Sequence, residues 1–236
     1  MPERKEIFLN NEIYHITARR IGEDLLFKDI KDYYRGIFSI FEFNNLNSVE
    51  IRKRRAERAQ WKKKNSGSPT SATFEPDKRD KLVEIIAFCF MPNHIHLLLR
   101  QIKNDGISKF MQKCCGGYAR YFKEKYKELG KGYFFQNRFN ATHIESENQL
   151  KTAFVYIHTN PISLIEPGWK ENGVTNSEKA IKFLENYKWS SYQDYIGKEN
   201  FPSVIQKEFL LEIMEKVQGC RNSLEDWVKY KQELKK

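Results

Sequence analysis

The strongest constraint on the fold is an apolar hairpin near the middle of the chain. Residues Leu82 to Phe90 form a nearly continuous apolar run, as expected of a strand that is buried on both faces. The segment Met91-Pro-Asn93 supplies turn-forming residues, and His94 to Arg100 is predicted to be a second strand. The sequence therefore predicts two consecutive strands that pair with each other and lie mostly inside the protein.

Hydrophobic periodicity predicts further strands and helices on both sides of this hairpin. Apolar positions repeat with helical spacing in two long segments, one before the hairpin and one after it. A capping box formed by Ser146 and Gln149 predicts the start of another helix, which Pro161 ends. The predicted elements besides the hairpin are strands over 13–19 and 133–144, and helices from 30, over 108–129, from 146 to 160, and over 177–186, 203–217 and 223–234.

The composition is that of an ordered and basic protein. Of the 236 residues, 40% are hydrophobic and 14% aromatic, so the chain can bury a core and is not disordered. Its apolar runs are much shorter than the roughly 18–20 residues of a membrane span, and no signal-peptide core follows the charged first residues. The four cysteines include no C-x-x-C pair, so we expect reduced thiols. These features predict a cytoplasmic protein with no membrane association.

The positive charge is concentrated in one short segment. The formal net charge is +10, and residues 52–64 contain eight basic side chains against one glutamate. A polar Asn-Ser-Gly-Ser-Pro segment follows, so we interpret residues 45–80 as a basic insertion or arm. Such clustering favours a nucleic acid or another anionic surface as partner, although basic faces are often only solvated. The candidate DNA contacts are Arg54 and Arg55 in the arm, Lys109, Lys113 and Arg120 on the helix after the hairpin, and Arg19 and Arg138 elsewhere.

Two histidines at the start of the second hairpin strand are candidates for chemistry. In His94-Ile-His96 the alternation of a strand directs both imidazoles to one face. Two imidazoles so placed can share a metal ion or contact a phosphate. An H-x-H pair taken alone is more often structural, but an apolar hairpin would ordinarily place hydrophobic residues here.

A tyrosine and an asparagine form the second candidate group. On the helix that begins near Ser146, Tyr156 and Asn160 lie one turn apart on the same flank. A phenol is a poor nucleophile at neutral pH, but it can attack a phosphate that a divalent ion polarises. His94 and His96 would be two ligands of that ion and Asn160 a plausible third, with Mg²⁺ or Mn²⁺ as the metal. A tyrosine at such a position, considered alone, is more often an ordinary boundary residue than a nucleophile.

Together these residues resemble a known family. The segment Met91-Pro-Asn-His-Ile-His-Leu-Leu-Leu99 resembles the HUH motif of single-tyrosine transposases, and Tyr156-Ile-His-Thr-Asn-Pro161 resembles the nucleophile segment of their REP-associated branch. Three further segments resemble that branch in matching order: Tyr14-His-Ile-Thr-Ala-Arg19, Phe135-Gln-Asn-Arg-Phe139 and Tyr187-Lys-Trp-Ser-Ser-Tyr192. The resemblance covers most of residues 10–215.

The resemblance implies both a fold and an activity. The expected fold is α+β, a ferredoxin-like or RRM-like antiparallel sheet with helices on one face and a C-terminal helical extension. The transposase domain would span residues 1–200, with the 45–80 arm inserted, and the extension would span 201–236. Tyr156 would be the nucleophile that becomes joined to a 5′ phosphate of a single-stranded DNA hairpin, with His94, His96 and Asn160 at the metal. The family includes both monomers and homodimers, and the basic arm is a departure from its general pattern.

Two other functions stay open on the sequence. The chain could be a non-catalytic module that binds single-stranded DNA or an RNA hairpin, although such a module needs neither the two histidines nor the tyrosine. It could also be a metal-dependent hydrolase that uses activated water and forms no covalent adduct.

Overall fold

The computed structural model describes residues 7–22, 24–65, 77–128, 132–136 and 138–235. The strands are β1 (Ile13–Arg19), β2 (Val83–Met91), β3 (His94–Gln101) and β4 (Asn140–Ile144). The helices are α1 (Ile30–Glu42), α2 (Ile51–Asn65), α3 (Gly106–Tyr126), α4 (Glu147–Thr159), α5 (Trp169–Asn172), α6 (Ser177–Asn186), α7 (Tyr192–Tyr195), α8 (Glu208–Ile213) and α9 (Lys216–Glu233), with a 3-10 helix (Asn160–Leu164) directly after α4.

The strands form one antiparallel sheet in the order β2-β3-β1-β4. Apart from α2, the chain runs strand, helix, two strands, helix, strand up to β4, which is the ferredoxin-like arrangement. The predicted α+β class is therefore confirmed, and so is the predicted hairpin, in which Met91 pairs with His94. Almost every residue of β2 and β3 is buried, as their apolar sequences require.

Helices cover both faces of this sheet, whereas the sequence predicted helices on one face. The crossover helices α1 and α3 pack on the face that carries Phe90, where Phe27 stacks on Phe90 and contacts the ring of Tyr118 from α3. Gly36 of α1 lies so close to Phe90 that a Cβ atom there would be 2.6 Å from its ring. The opposite face carries the histidines, and α4, which follows the sheet in sequence, covers it. Helices lie on both faces because both faces of β2 and β3 are apolar and each needs a covering layer.

The basic segment forms an exposed helix that is fastened to α1. None of the residues of α2 is buried. Arg54 contacts the carboxylate of Glu42 at 3.0 Å, and Arg58 contacts it at 3.4 Å. Since the Glu42 side chain is almost fully buried, this pairing compensates its charge and holds α2 against the end of α1. The polar segment that follows the helix lies largely outside the described residues.

Two predicted elements are shorter than the sequence indicated. The strand predicted over 133–144 is regular only over Asn140–Ile144, and Phe135 instead forms an isolated bridge with Arg20. The helix predicted over 203–217 is regular only over Glu208–Ile213, because Gln206 bonds to the edge of β2 through both its backbone N–H and its side-chain amide. The backbone there is engaged by the sheet and cannot continue a helix.

The C-terminal residues complete the layer that covers the histidine face. Helix α9 buries Cys220, Leu224 and Val228 and packs against α4 and α6. It begins at Lys216, earlier than predicted. None of the helices in the described part of the chain is both long enough and apolar enough to cross a bilayer.

Candidate active site

The two predicted histidines meet at the first residues of β3. His94 Nε2 lies 3.1 Å from His96 Nε2, and Asn93 Oδ1 lies 2.6 Å from His94 Nδ1. Two ligands at about 2.1 Å from an octahedral ion, at right angles to each other, are about 3 Å apart. The pair of Nε2 atoms therefore has the spacing of neighbouring donors to one divalent ion.

Both imidazoles are held in the neutral form that a metal ligand requires. Burial lowers the pKa of His94 to about 4, and the nearby positive charges of Arg19 and Lys170 act in the same direction. Burial also lowers the pKa of His96 well below its ordinary value, and the neighbouring His94 contributes to this shift. At neutral pH each ring therefore has one nitrogen lone pair available.

A third histidine, which the sequence analysis missed, supports this pair. His15 Nε2 lies 2.9 Å from His96 Nδ1, and the two rings stack at 5.1 Å. His15 reaches this position because β1 pairs with β3 in a register that sets Thr17 opposite His96. Alternation in the 13–19 strand placed His15 and Thr17 on one face, but the register between the strands could not be predicted from the sequence.

Tyr156 stands over the histidines from α4. This helix begins where the Ser146 hydroxyl accepts the backbone N–H of Gln149, as the capping box predicted, although the Gln149 side chain bonds to Glu145 instead of Ser146. The ring of Tyr156 lies edge-on to His15 at 5.8 Å and to His96 at 5.7 Å. Tyr156 is 41% exposed, so its side chain lies at the surface of the protein.

Lys170 links Tyr156 to Asn160. Its ammonium group donates to Asn160 Oδ1 at 2.8 Å, lies 3.5 Å from the Tyr156 hydroxyl, and stands over the Tyr156 ring at 4.5 Å. The Asn160 amide donates in turn to the backbone carbonyl of Tyr156 at 2.7 Å. These contacts bring Tyr156 and Asn160 together around the Lys170 ammonium group. Lys170 was not predicted, since it lies on α5, beyond the turn that follows the 3-10 helix.

These side chains line one open cavity of about 480 Å³. Its lining includes six of the predicted site residues: Arg19, His94, His96, Arg138, Tyr156 and Asn160. Trp169 and Lys170 line it as well. The fold thus brings the histidine pair, the tyrosine–asparagine pair and two of the candidate DNA contacts to one cavity.

The other candidate DNA contacts lie elsewhere on the molecule. Lys113 donates to the carbonyls of residues 45–47, and Arg120 pairs with Glu124 on the exposed face of α3. Lys109, on the same helix, lies 3.9 Å from Asp105. In the arm, Arg54 pairs with Glu42 and Glu57, and the Arg55 guanidinium lies over the Phe38 ring at 5.5 Å.

The nearby His158, which follows Tyr156 in the same motif, has a structural position. It is buried, with Nδ1 at 2.8 Å from the Phe154 carbonyl and Nε2 at 2.9 Å from the Ser191 hydroxyl. Both ring nitrogens are therefore occupied inside the core, away from the cavity.

The donors available for a metal ion are few. In the residues that the structure describes, no group of three or more His, Cys, Asp or Glu side chains is arranged to hold one. The two Nε2 atoms of His94 and His96 fit a divalent ion by their spacing. Further oxygen-bearing side chains line the same cavity, among them Asn160 and Glu171.

Comparison with known proteins agrees with the motif analysis. A family model described as IS200-like transposase matches residues 45–160, the segment that contains both histidines, Tyr156 and Asn160. No curated protein sequence matches the chain. A solved structure of a REP-associated tyrosine transposase bound to a REP hairpin matches with a TM-score of 0.48 and 13% identity, over 88% of this chain and 93% of that chain. The resemblance inferred from the motifs is confirmed: residues 45–160 have the sequence pattern of the IS200-like transposase family.

Proposed function

We propose that this protein cleaves single-stranded DNA at hairpin-forming sequences and transfers the strand through a covalent link to Tyr156. The observation that carries the proposal is the position of the Tyr156 ring, which lies within 6 Å of both His15 and His96 in an open cavity lined by basic side chains. A structural boundary tyrosine needs neither buried neutral imidazoles beside it nor access to solvent. This combination is suited to an attack on a bound phosphate.

The substrate class follows from charge and access. The cavity is open and is lined by Arg19, Arg138 and Lys170, which suits an anionic polymer that passes through it. The protein as a whole has a formal charge of +10. An unpaired strand beside a hairpin fits such an opening, because a single strand can present one phosphate to a side chain inside a cavity.

The chemical step is a transesterification at phosphorus. The Tyr156 hydroxyl oxygen forms a bond to the phosphorus atom, and the bond between phosphorus and the 3′ oxygen of the preceding nucleotide breaks. The phenol proton is lost to solvent, and the leaving 3′ oxygen takes up a proton to become a free hydroxyl. The 5′ phosphate then remains on the tyrosine, and attack by another 3′ hydroxyl reverses the step, so no external energy source is required.

Each cavity residue has a definable part in this step. His94, His96 and Asn160 would hold a divalent ion, Mg²⁺ or Mn²⁺, whose charge polarises the phosphoryl oxygen. Lys170 stands beside the Tyr156 hydroxyl and can stabilise negative charge on the phenolate or on the phosphate. His15 fixes the ring of His96 by contacting its Nδ1.

The test is a denaturing gel with labelled hairpin DNA from the genomic flanks of the protein's own gene, with and without Mn²⁺. We expect a metal-dependent covalent adduct that is lost in Tyr156→Phe, while binding to the hairpin is largely kept. Tyr34→Phe is the matched control, because Tyr34 is 43% exposed and lies on α1, away from the cavity.

Two outcomes would overturn the proposal in different ways. Binding with no adduct across several flanking hairpins would indicate a non-catalytic binding module. Metal-dependent cleavage with no adduct, retained in Tyr156→Phe, would indicate a hydrolase that uses activated water.

A further inference from the structure

A second cavity adjoins the candidate active site and shares part of its wall. Its volume is about 580 Å³, and it lies between α4, α5 and α9. Tyr156, Trp169 and Lys170 line both this cavity and the one that contains the histidines. The two cavities are therefore adjacent, with the side chain of the proposed nucleophile in the wall that they share, and the size of the second is in the range of small-molecule sites.

The wall contributed by α9 is aromatic and open to solvent. Helix α9 uses Cys220, Leu224 and Val228 for packing and turns a different face, which includes Trp227 and Tyr230, towards this cavity. These two rings lie 5.8 Å apart, and Trp227 is 39% and Tyr230 48% exposed. Two large aromatic side chains left exposed beside a functional cavity are typical of a binding surface.

The polar groups around this aromatic wall suit an anionic ligand. Lys151, Lys170 and Lys231 line the cavity, against the single acidic side chain of Asp226. The basic side chains outnumber the acidic one, so this cavity favours a ligand that carries phosphate groups.

We propose that this cavity binds one unpaired nucleobase of the DNA strand, adjacent to the phosphate that lies at Tyr156. The inference rests on the proposed function and adds a base-binding site to it. The base would stack on Trp227 and Tyr230, which supply flat apolar surfaces. Lys151 and Lys231 would contact the phosphates on either side of that base. Since Tyr156 lines both cavities, the base site would lie next to the phosphate at Tyr156, where a neighbouring nucleotide of the same strand could be bound.

The experiment combines a protein variant with a modified DNA strand. Hairpin oligonucleotides from the genomic flanks carry one abasic residue at each successive position around the cleaved phosphate, and their dissociation constants are measured at fixed salt. For the wild type we expect one position at which loss of the base weakens binding roughly 5- to 150-fold, the range of base–aromatic stacking. Trp227→Ala should weaken binding of the intact strand by a similar factor and make it indifferent to the abasic change at that position.

The controls separate stacking from general effects. Trp227→Phe keeps a ring and should retain much of the dependence on that position. Phe209→Ala removes an aromatic side chain of similar exposure, 36%, from α8, which lines neither cavity, and should leave the abasic profile unchanged. Sedimentation of wild type and Trp227→Ala at equal concentrations tests whether the aromatic wall instead joins two copies of the chain.

The outcomes distinguish this inference from the proposed function. The base site would be overturned if cleavage is normal and the effects of Trp227→Ala and of each abasic change on the binding free energy simply add. The tyrosine chemistry would then be unaffected. If Trp227→Ala abolishes the effect of the abasic change at one position but no covalent adduct forms, the base site is supported and the proposed chemistry is overturned. A fall in mass on Trp227→Ala, with an unchanged abasic profile, would assign the cavity to a protein interface and overturn the inference.

Discussion

The Nε2 atom of His15 lies 2.9 Å from Nδ1 of His96, so the two central strands of the sheet are joined at the candidate active site by an imidazole pair. If His96 binds a metal through Nε2, its Nδ1 carries the proton, and this N–H donates a hydrogen bond to Nε2 of His15. A contact of this kind fixes the tautomer and the ring orientation of a metal ligand. In that arrangement His15 would position His96 and would not itself be a ligand.

Removal of this contact should weaken metal binding at the site. For His15→Ala we expect cleavage to fall about 10- to 100-fold at low Mn²⁺, the usual effect of losing such a supporting contact, with partial recovery at high Mn²⁺. The measurement is the cleavage rate as a function of Mn²⁺ concentration. His143→Ala is the control, because His143, on β4, pairs with Glu12 and not with a candidate metal ligand. An unchanged Mn²⁺ dependence in His15→Ala would remove His15 from the site.

Lys170 should affect the chemical step more than DNA binding. Its ammonium group lies beside both the Tyr156 hydroxyl and the Asn160 side chain, where negative charge develops during attack on the phosphate. Loss of one such donor typically costs about 10²- to 10³-fold in rate, so Lys170→Met should lower the single-turnover rate of adduct formation by about that factor. We expect Lys170→Arg to recover part of the rate and Lys182→Ala, an exposed substitution on α6, to have none of this effect. An equal fall in rate and in DNA affinity would instead indicate a simple phosphate contact.

Parts of the site are local in sequence and could be predicted. The His94 and His96 pair depends only on the alternation of a strand, and the position of Asn160 relative to Tyr156 depends only on the pitch of a helix. The structure places all four residues at one cavity. The hairpin and α4 were equally predictable, because apolar patterning and a cap at Ser146 act over a few residues.

The residues that the sequence did not reveal depend on tertiary structure. His15 reaches His96 only through the register of β1 on β3, and Lys170 returns to Tyr156 only after a turn. The role of individual basic residues was equally hidden. Lys113 donates to three backbone carbonyls and Arg54 compensates a buried glutamate, although both were candidate DNA contacts by charge alone.

The fall of the unfolding free energy at acid pH should depend on Asp32. Its side chain is fully buried, and burial acts to raise its pKa, but hydrogen bonds from Lys125 and Tyr126 and from backbone N–H groups outweigh burial and lower the pKa below its ordinary value. A carboxylate with a lowered pKa contributes stability above its unfolded value, near 3.9, and this stability is lost as the pH falls through the folded value. The unfolding free energy should therefore fall below about pH 4, with a contribution from Asp32 of at most ~1.4 kcal/mol per pH unit.

Denaturant unfolding of Asp32→Asn between pH 5 and pH 2.5 tests this expectation. The variant should be less stable at pH 7 and should show a shallower decline in acid. Asp105→Asn changes an exposed carboxylate and should keep the wild-type slope. A decline in Asp32→Asn as steep as that of the wild type would show that other groups control the fall at acid pH.

Two neighbouring glycines of α3 provide a matched test of helix packing. A Cβ atom on Gly117 would lie 2.5 Å from the ring of Phe43, whereas one on Gly116 would meet nothing within 4 Å. Both substitutions to alanine gain the same helix propensity. The difference between their unfolding free energies therefore reports the steric conflict with Phe43. We expect Gly117→Ala to be about 1–3 kcal/mol less stable than Gly116→Ala in urea unfolding. Equal stability would mean that the Phe43 ring moves aside at little cost.

Arg19 should contact DNA phosphate, whereas Arg120 should not. Arg19 lines the cavity beside the histidines, and Arg120 pairs with Glu124 on an exposed face of α3. A lost phosphate contact to a single strand reduces the slope of log K against log salt by about 0.7. Arg19→Ala should show this reduction with hairpin DNA that carries single-stranded tails, and Arg120→Ala should keep the wild-type slope. The opposite result, with the slope reduced only in Arg120→Ala, would place the bound strand along α3 and away from Tyr156.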